Sequence, residues 1–362
     1  MKIFKSITFL MLQLKMGGGN RVFFELAKRG VGKIKVVTTK TKHFTDFDIN
    51  QFDCVKIGNE SRILLLRLLS YVELFFFVLI NRHKLGLIVY SDPLLAPIIV
   101  FSGCRKYIRF LQADDLNLFN SRRSIPALFR YAYKVLTRYA YRRERFIICN
   151  SFYTYDCYKR VGGAGKLLGI VNPGIDTTVY NMKNRGYRSV DFAILARQGK
   201  LKGLDTFVNA LKIFLKENTN RIYKVLLFAN KKPNMFDEVL SNADFLLARN
   251  DIENSAILNN SRFFIYPSRN EGFGLPPLEA MACGCVVIAS DCGGVREYGI
   301  DNKNIIYFKA GDFKDLAKKM MYVIANNVEE IRKNGTETAK KMTWEVTYKS
   351  FLACLKKVNI YM

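Results

Sequence analysis

The chain has 362 residues and carries 57 Lys and Arg against 31 Asp and Glu, a formal net charge of +26. With 49% hydrophobic and 13% aromatic residues it is too apolar for intrinsic disorder despite that charge, and its length suggests two domains. Eight cysteines with no C-x-x-C pair exclude a disulfide scaffold and make a structural zinc site a poor reading.

The N-terminal stretch MKIFKSITFLMLQL has an apolar run but no A-x-A-like cleavage site, and it leads straight into MGGGNRVFFELAKRG. It reads as strand, glycine loop and helix rather than as a signal peptide. Short apolar runs then alternate with amphipathic stretches, the pattern of parallel α/β architecture. Strands are expected at ITFLMLQL, KIKVVTT, GLIVYSD, YIRFLQ and RFIICNS in the first half. In the second half they are DFAILAR, YKVLLFA, RFFIYPS, CVVIAS and NIIYF. The seam falls in the turn-rich segment of about residues 169–189, GIVNPGIDTTVYNMKNRGYRS.

Two stretches bear on membranes. Ile63 to Ile80 is just long enough to span a bilayer, but it contains Arg67 and Glu73 and runs into a strand. A buried or surface-docked crossover helix is expected. Residues 121–145 hold eight Lys or Arg against one Glu. Arg130, Lys134, Arg138 and Arg142 would form one basic stripe on a helix, opposite Leu128, Ala132, Val135, Leu136 and Tyr139. An anionic lipid surface and an ordinary solvated face are both open readings. No nucleic-acid recognition module accompanies the charge.

Chemistry concentrates in IYPSRNEGFGLPPLEAMACGCVVIASDCGGVRE, residues 265–297. A glycine turn feeding a helix with Pro277 near its start presents unpaired N–H groups to phosphate or other electron-rich oxygens. Glu271 and Glu279 would be repelled by a diphosphate and so suit hydroxyls. A ligand with a diphosphate between two polyols is a nucleotide sugar; the competing reading is a helix cap and a surface residue. Arg197 and Lys202, in a turn after DFAILAR, are placed to neutralise a diphosphate, or else are two solvated loop charges.

These segments resemble glycosyltransferases of the GT-B fold, classification family 4. Arg197 with Lys202-Gly203-Leu204-Asp205, and Glu271-Gly272-Phe273-Gly274-Leu275-Pro276 with Glu279-Ala280, carry the likeness. Met16-Gly17-Gly18-Gly19 with Arg21 and Glu25, Asn150-Ser151, Val171-Asn172-Pro173-Gly174-Ile175-Asp176 and Ser290-Asp291-Cys292-Gly293-Gly294 agree with it. It covers nearly the whole chain and is weaker between residues 40 and 145. The resemblance implies two facing Rossmann-like domains with a cleft between them, at 1–170 and 171–342, and a last helix at about 343–362 crossing back.

The resemblance also implies roles. Arg197 and Lys202 would hold the donor diphosphate; Glu271 and the backbone of Gly272, Phe273, Gly274 and Leu275 would hold the transferred sugar. Glu279 would take the ribose, and Gly18 and Gly19 would bring main-chain N–H groups to the phosphate. The reaction would retain configuration, moving a hexose-type sugar from a nucleotide diphosphate to a glycan or lipid-linked glycan in polysaccharide or lipopolysaccharide assembly. No metal or other cofactor is expected. The protein would be cytoplasmic and peripheral at the inner membrane face.

The family's first-domain His is absent: the comparable stretch is FLQADDLNLF, where Gln112, Asp114 or Asp115 would stand in, and Asp114 is taken as the acceptor-side candidate. Gly284-Cys285 is followed by Val286 where many members have Pro. Asp46-Phe47-Asp48 matches a metal-binding D-x-D pattern but reads as a solvated loop, and Cys283, Cys285 and Cys292 read as small buried residues. Two other functions compete: a nucleotide-sugar epimerase or hydrolase of the same fold, and a basic nucleic-acid-binding protein.

Overall fold

In a computed structural model of the protein, residues 6–12, 18–30, 33–38, 52–58, 64–116, 127–183, 186–232 and 243–361 are described. Asp46-Phe47-Asp48 and Met16-Gly17 lie outside them. The chain divides into two compact units, Met1–Asn172 with Thr347–Met362, and Pro173–Val346.

The first unit holds strands β1 (Ser6–Met11), β2 (Lys33–Thr38), β3 (Asp53–Lys56), β4 (Leu87–Tyr90), β5 (Tyr107–Leu111), β6 (Phe146–Cys149) and β7 (Lys166–Ile170). They form a sheet of order β3-β2-β1-β4-β5-β6-β7 in which every pair is parallel. Its described helices are α1 (Gly18–Lys28), α2 (Leu64–Asn81), α3 (Leu95–Phe101), α4 (Ala127–Tyr141) and α5 (Phe152–Arg160). Strands covered by helices on both faces must be apolar throughout, and β4, β5 and β6 are buried at every residue. The order reverses at β1 and β4, the switch point beyond which open sheets of this kind bind ligands.

Two helices differ in how they use their apolar residues. The crossover helix α2 turns Leu74 and Val78 into the core, where both are fully buried. Among the described residues no helix is long and apolar enough to cross a membrane. α4 is amphipathic as its spacing predicts, yet its apolar strip does not face the core. It packs inward through Tyr133, Thr137, Ala140 and Tyr141, while Leu128 and Val135 are 75% and 47% exposed.

The second unit holds β8 (Val190–Leu195), β9 (Val225–Ala229), β10 (Asp244–Leu247), β11 (Ser261–Tyr266), β12 (Val286–Ser290) and β13 (Ile306–Phe308). Their order is β10-β9-β8-β11-β12-β13, again all parallel. Its described helices are α6 (Leu204–Glu217), α7 (Asp251–Asn259), α8 (Leu275–Ala282), α9 (Phe313–Ala325) and α10 (Glu329–Lys341). Successive strand residues point to opposite faces, so Ala193, Phe264 and Val287 join Leu278 and Met281 in one core layer. Phe192, Ile194, Ile265 and Ile288 join Phe207, Leu211 and Met320 in the other. A last helix, α11 (Trp344–Tyr361), returns to the first unit, where the Phe351 ring lies 6.2 Å from Phe9 and 6.4 Å from Phe110.

All ten expected strands form. Three more, β3, β7 and β10, lie at sheet edges. They are short, partly exposed and admit charged residues, Asp53 and Lys56 in β3, Lys166 in β7 and Asp244 in β10, whereas β13, also an edge strand, stays apolar.

Candidate active site

The donor-side residues converge at the carboxyl ends of β8 and β11. Arg197 follows β8, and Lys202 ends a short 3-10 turn before α6. That turn closes through Gly203, whose φ of +69° favours glycine; a Cβ there would also lie 1.9 Å from the Pro267 carbonyl oxygen. Close main-chain contact thus brings the 197–203 loop against the loop after β11.

Glu271, in that second loop, is the hub. Its Oε1 accepts from Arg197 Nη2 at 2.8 Å, from Lys202 Nζ at 2.7 Å and from Ser268 Oγ at 2.9 Å. The Arg197 guanidinium also donates to Tyr266 Oη at 2.9 Å and lies 5.4 Å from that ring's centre. Burial pushes the Glu271 carboxyl up, but Arg197 and then Lys202 outweigh it and hold the pKa at about 2. Burial lowers the Lys202 ammonium, partly offset by Glu271. With Glu271 ionised, the trio carries one net positive charge.

Three residues that the sequence reading did not single out brace this site. Ser268 and Tyr266 bond the charged trio directly. Arg269 ties the two loops together, donating to Asp205 Oδ2 at 2.7 Å, Thr206 Oγ1 at 2.8 Å and the Lys200 carbonyl at 2.7 Å. The available signal was position alone, because all three sit at or just past the end of a buried strand.

The glycine turn runs from Glu271 into α8, which starts at Leu275 with Pro in its first turn. Gly294 closes on this turn: its N–H donates to the Glu271 carbonyl at 2.9 Å, and a Cβ there would lie 2.0 Å from the Gly272 carbonyl oxygen. The Cys292-Gly293-Gly294 segment is therefore a buttress for the turn. Gly272, Phe273 and Gly274 are buried, and Glu279 is half-buried in the second turn of α8. Cys283, Cys285 and Cys292 are buried free thiols, and burial pushes the Cys292 thiol up to about 12. They are inert packing groups.

The remaining candidates belong to the first unit. Gly18 and Gly19 open α1 and are exposed. The side chain beside Gly19 is Gln112, whose Oε1 would lie 3.3 Å from a Cβ at that position; Gln112 Nε2 is buried with no hydrogen-bond partner among the described residues. Asp114 lies in the following loop, where its charge is felt by Cys157 and Arg160 of α5. Asp115 is committed elsewhere, accepting from Arg109 Nη2 and Tyr141 Oη at 2.6 Å each. Asn150 and Asn172 act as joints, the first donating to the Gln112 carbonyl at 2.9 Å and the second to the Asn150 carbonyl at 3.0 Å.

Residues 188–342 match the family model described as glycosyl transferases group 1. An uncharacterized glycosyltransferase of Methanocaldococcus jannaschii is 32% identical over 188 residues, 46% of this chain and 52% of that protein. The N,N'-diacetylbacillosaminyl-diphospho-undecaprenol alpha-1,3-N-acetylgalactosaminyltransferase of Campylobacter jejuni is 35% identical over 95 residues, 26% of this chain and 24% of that one. The chain thus spans about half or less of the curated relatives it matches. Others are named for capsular polysaccharide or lipopolysaccharide core biosynthesis. Among solved structures, Anabaena HepE in complex with UDP and glucose superimposes with a TM-score of 0.76 at 18% identity, covering 98% of this chain and 100% of that one. Both units have the Rossmann-like parallel sheets of GT-B glycosyltransferases, and residues 188–342 are a glycosyl transferases group 1 domain.

Proposed function

We propose that the protein is a retaining glycosyltransferase that uses a nucleotide-diphosphate sugar and extends a glycan or lipid-linked glycan. The observation that carries this reading is the Arg197–Lys202–Glu271 trio, two cations on one carboxylate at the strand ends beside a glycine turn and a helix N-terminus. A diphosphate there meets one uncompensated positive charge and the α8 dipole. Glu271 uses Oε1 to hold the cations and offers Oε2 to sugar hydroxyls; Glu279 takes the ribose diol.

The chemistry follows from charge. As the bond from the anomeric carbon to the phosphate oxygen breaks, charge grows on the leaving diphosphate, and Arg197 and Lys202 stabilise it without a metal. The acceptor oxygen bonds the same face of that carbon, and its proton passes to a leaving phosphate oxygen. On the first unit Gln112 and Asp114 are the candidates for meeting sugar or acceptor, since Asp115 is engaged in the core. A panel of nucleotide sugars assayed for slow hydrolysis, with and without EDTA, tests the reading. One donor should be turned over in EDTA, and Glu279→Ala should weaken the matching free nucleoside diphosphate by about 1–3 kcal/mol. Unchanged affinity in a folded variant would remove Glu279 from the site.

We further propose that α4 seats the protein on an anionic bilayer, at the inner membrane face where a lipid-linked acceptor would lie. It exposes Leu128, Tyr131, Val135 and Leu136 next to Arg130, Lys134 and Arg138, and Arg142 follows just past its end. The neighbouring α2 and α3 expose Phe76, Ile80 and Phe101. Basic residues near an anionic surface contribute about 1 kcal/mol each, and an unburied apolar strip beside them suits the headgroup boundary. Anionic vesicles should pull down the protein and neutral ones should not, with salt weakening the binding; changing all four basic residues to Glu should abolish it. Equal binding of that variant would reduce the stripe to a solvated face.

A further inference from the structure

The second unit contains another cavity, at the end of the sheet opposite Arg197. It has a volume of about 500 Å³ and opens where β8, β11 and β12 begin. The six residues of β8 separate the two ends by about 20 Å. Among the described residues, four guanidinium groups line this cavity, from Arg188, Arg221, Arg262 and Arg332, against two carboxylates, Asp191 and Glu329.

Ordinary structural duties account for two of the four. Arg188 is buried and donates to the main-chain oxygens of Ser261 and Cys283 at 2.7 and 2.8 Å. These carbonyls lie just past the carboxyl ends of α7 and α8, where a cation offsets the negative end of the helix dipole. Arg332 pairs with Glu329 one turn away on α10. Arg221 and Arg262 are different, because both donate to the same atom, Asp191 Oδ1, at 2.5 and 2.9 Å. They remain 54% and 38% exposed, and each is steadied by an adjacent ring, Tyr223 and Phe263. The cavity therefore carries two net positive charges, and ring-steadied guanidinium forks are placed to grip a second anion.

We propose that this cavity binds a phosphomonoester on a small polar body, a phosphorylated sugar or a nucleoside monophosphate. The dianionic phosphate sits between Arg221 and Arg262, which with Asp191 leave one surplus positive charge, and the buried Arg188 supplies the second. The Asn326 and Asn327 amides at the rim face hydroxyls, and the volume lies within the range of small-molecule sites. The site is separate from the donor pocket and stands independently of the glycosyltransferase reading.

Binding of inorganic phosphate, glucose 6-phosphate and uridine monophosphate to the full chain, each measured with and without excess UDP, tests the proposal. At least one probe should bind at millimolar concentration or below and not be displaced by UDP. Tighter binding of an ester than of inorganic phosphate means that the polar body contributes; equal binding means that the phosphate alone is recognised. Two variants leave the fold intact. Arg221→Gln keeps Arg262 on Asp191, and Asn327→Asp keeps the side-chain oxygen that accepts from the Glu329 N–H at 3.0 Å. Each should weaken the probe at least tenfold, the scale of one charge-assisted hydrogen bond, and leave UDP affinity unchanged. Failure of all three probes to bind overturns the proposal, as does displacement by UDP or indifference to both variants.

Discussion

Each unit contains a three-residue cluster of buried or half-buried charges built on an arginine, and the two clusters behave in opposite ways. In the second unit Arg197 and Lys202 share Glu271, and the carboxyl is held down at about 2. In the first unit the fully buried Arg109 of β5 serves two carboxylates, Glu144 at 2.8 Å and Asp115 at 2.6 Å. There burial outweighs the single guanidinium and pushes Asp115 up to about 6. The ratio of charges and their place on the sheet separate the two jobs. Surplus positive charge at strand ends is ready for an anion; surplus negative charge inside a core joins β5 to the segments carrying Asp115 and Glu144, and has nothing to offer a phosphate.

The sharpest way to break this comparison is to remove the cation from each cluster. Arg109→Met strands two carboxylates in the core and should cost about 3–5 kcal/mol in urea unfolding. Arg197→Met should cost far less stability, because Lys202 still pairs with Glu271. Equal losses would mean that the second cluster is structural too.

Activity should show the reverse order. With a donor identified, Arg197→Met should lower kcat on the order of 10²–10³-fold, the scale for deleting one preorganised donor to developing charge, with a smaller change in KM. A KM effect alone would place Arg197 in ground-state binding only.

Stability against pH sharpens the contrast further, with opposite signs. Glu271 sits lower in the folded state than its usual 4.5, so its contribution is complete above about pH 4.5 and is lost as pH falls toward 2. Asp115 sits higher than its usual 3.8, so its cost is absent at low pH and grows as pH rises through 4 to 6, reaching about 3 kcal/mol. Between pH 4.5 and 6 the first unit should therefore loosen while the second does not. Hydrogen exchange resolved by unit checks this, and Asp115→Asn should flatten the first unit's response.

The architecture was legible in the sequence because parallel strands covered on both faces must be continuously apolar, and ten such runs mark ten strands. The strands β3, β7 and β10 were not, since their residues are largely exposed or half-buried and so need not be apolar. At the donor site, Arg197, Lys202 and Glu271 were each legible from their turns and from the resemblance. What those residues do to one another was not: they stand 74 and 69 positions apart, and only the packing of one loop on another places both cations on Glu271 Oε1.

The same division runs through the rest of the chain. Local periodicity by itself determined that α4 would be a helix with a basic stripe and an apolar strip. Only the tertiary structure decided that Tyr133, Thr137 and Tyr141 face inward and leave Leu128 and Val135 outside, because the sheet receives one side of a helix and nothing in a 3.6-residue repeat says which. Asp114 and Asp115 are equivalent as letters, yet Arg109 and Tyr141 capture Asp115 and not its neighbour. Spacing along the chain sets which side chains share a face of an element. Contact across sheets and loops sets which charges meet, and in this protein the meeting of charges separates a candidate active site from a core.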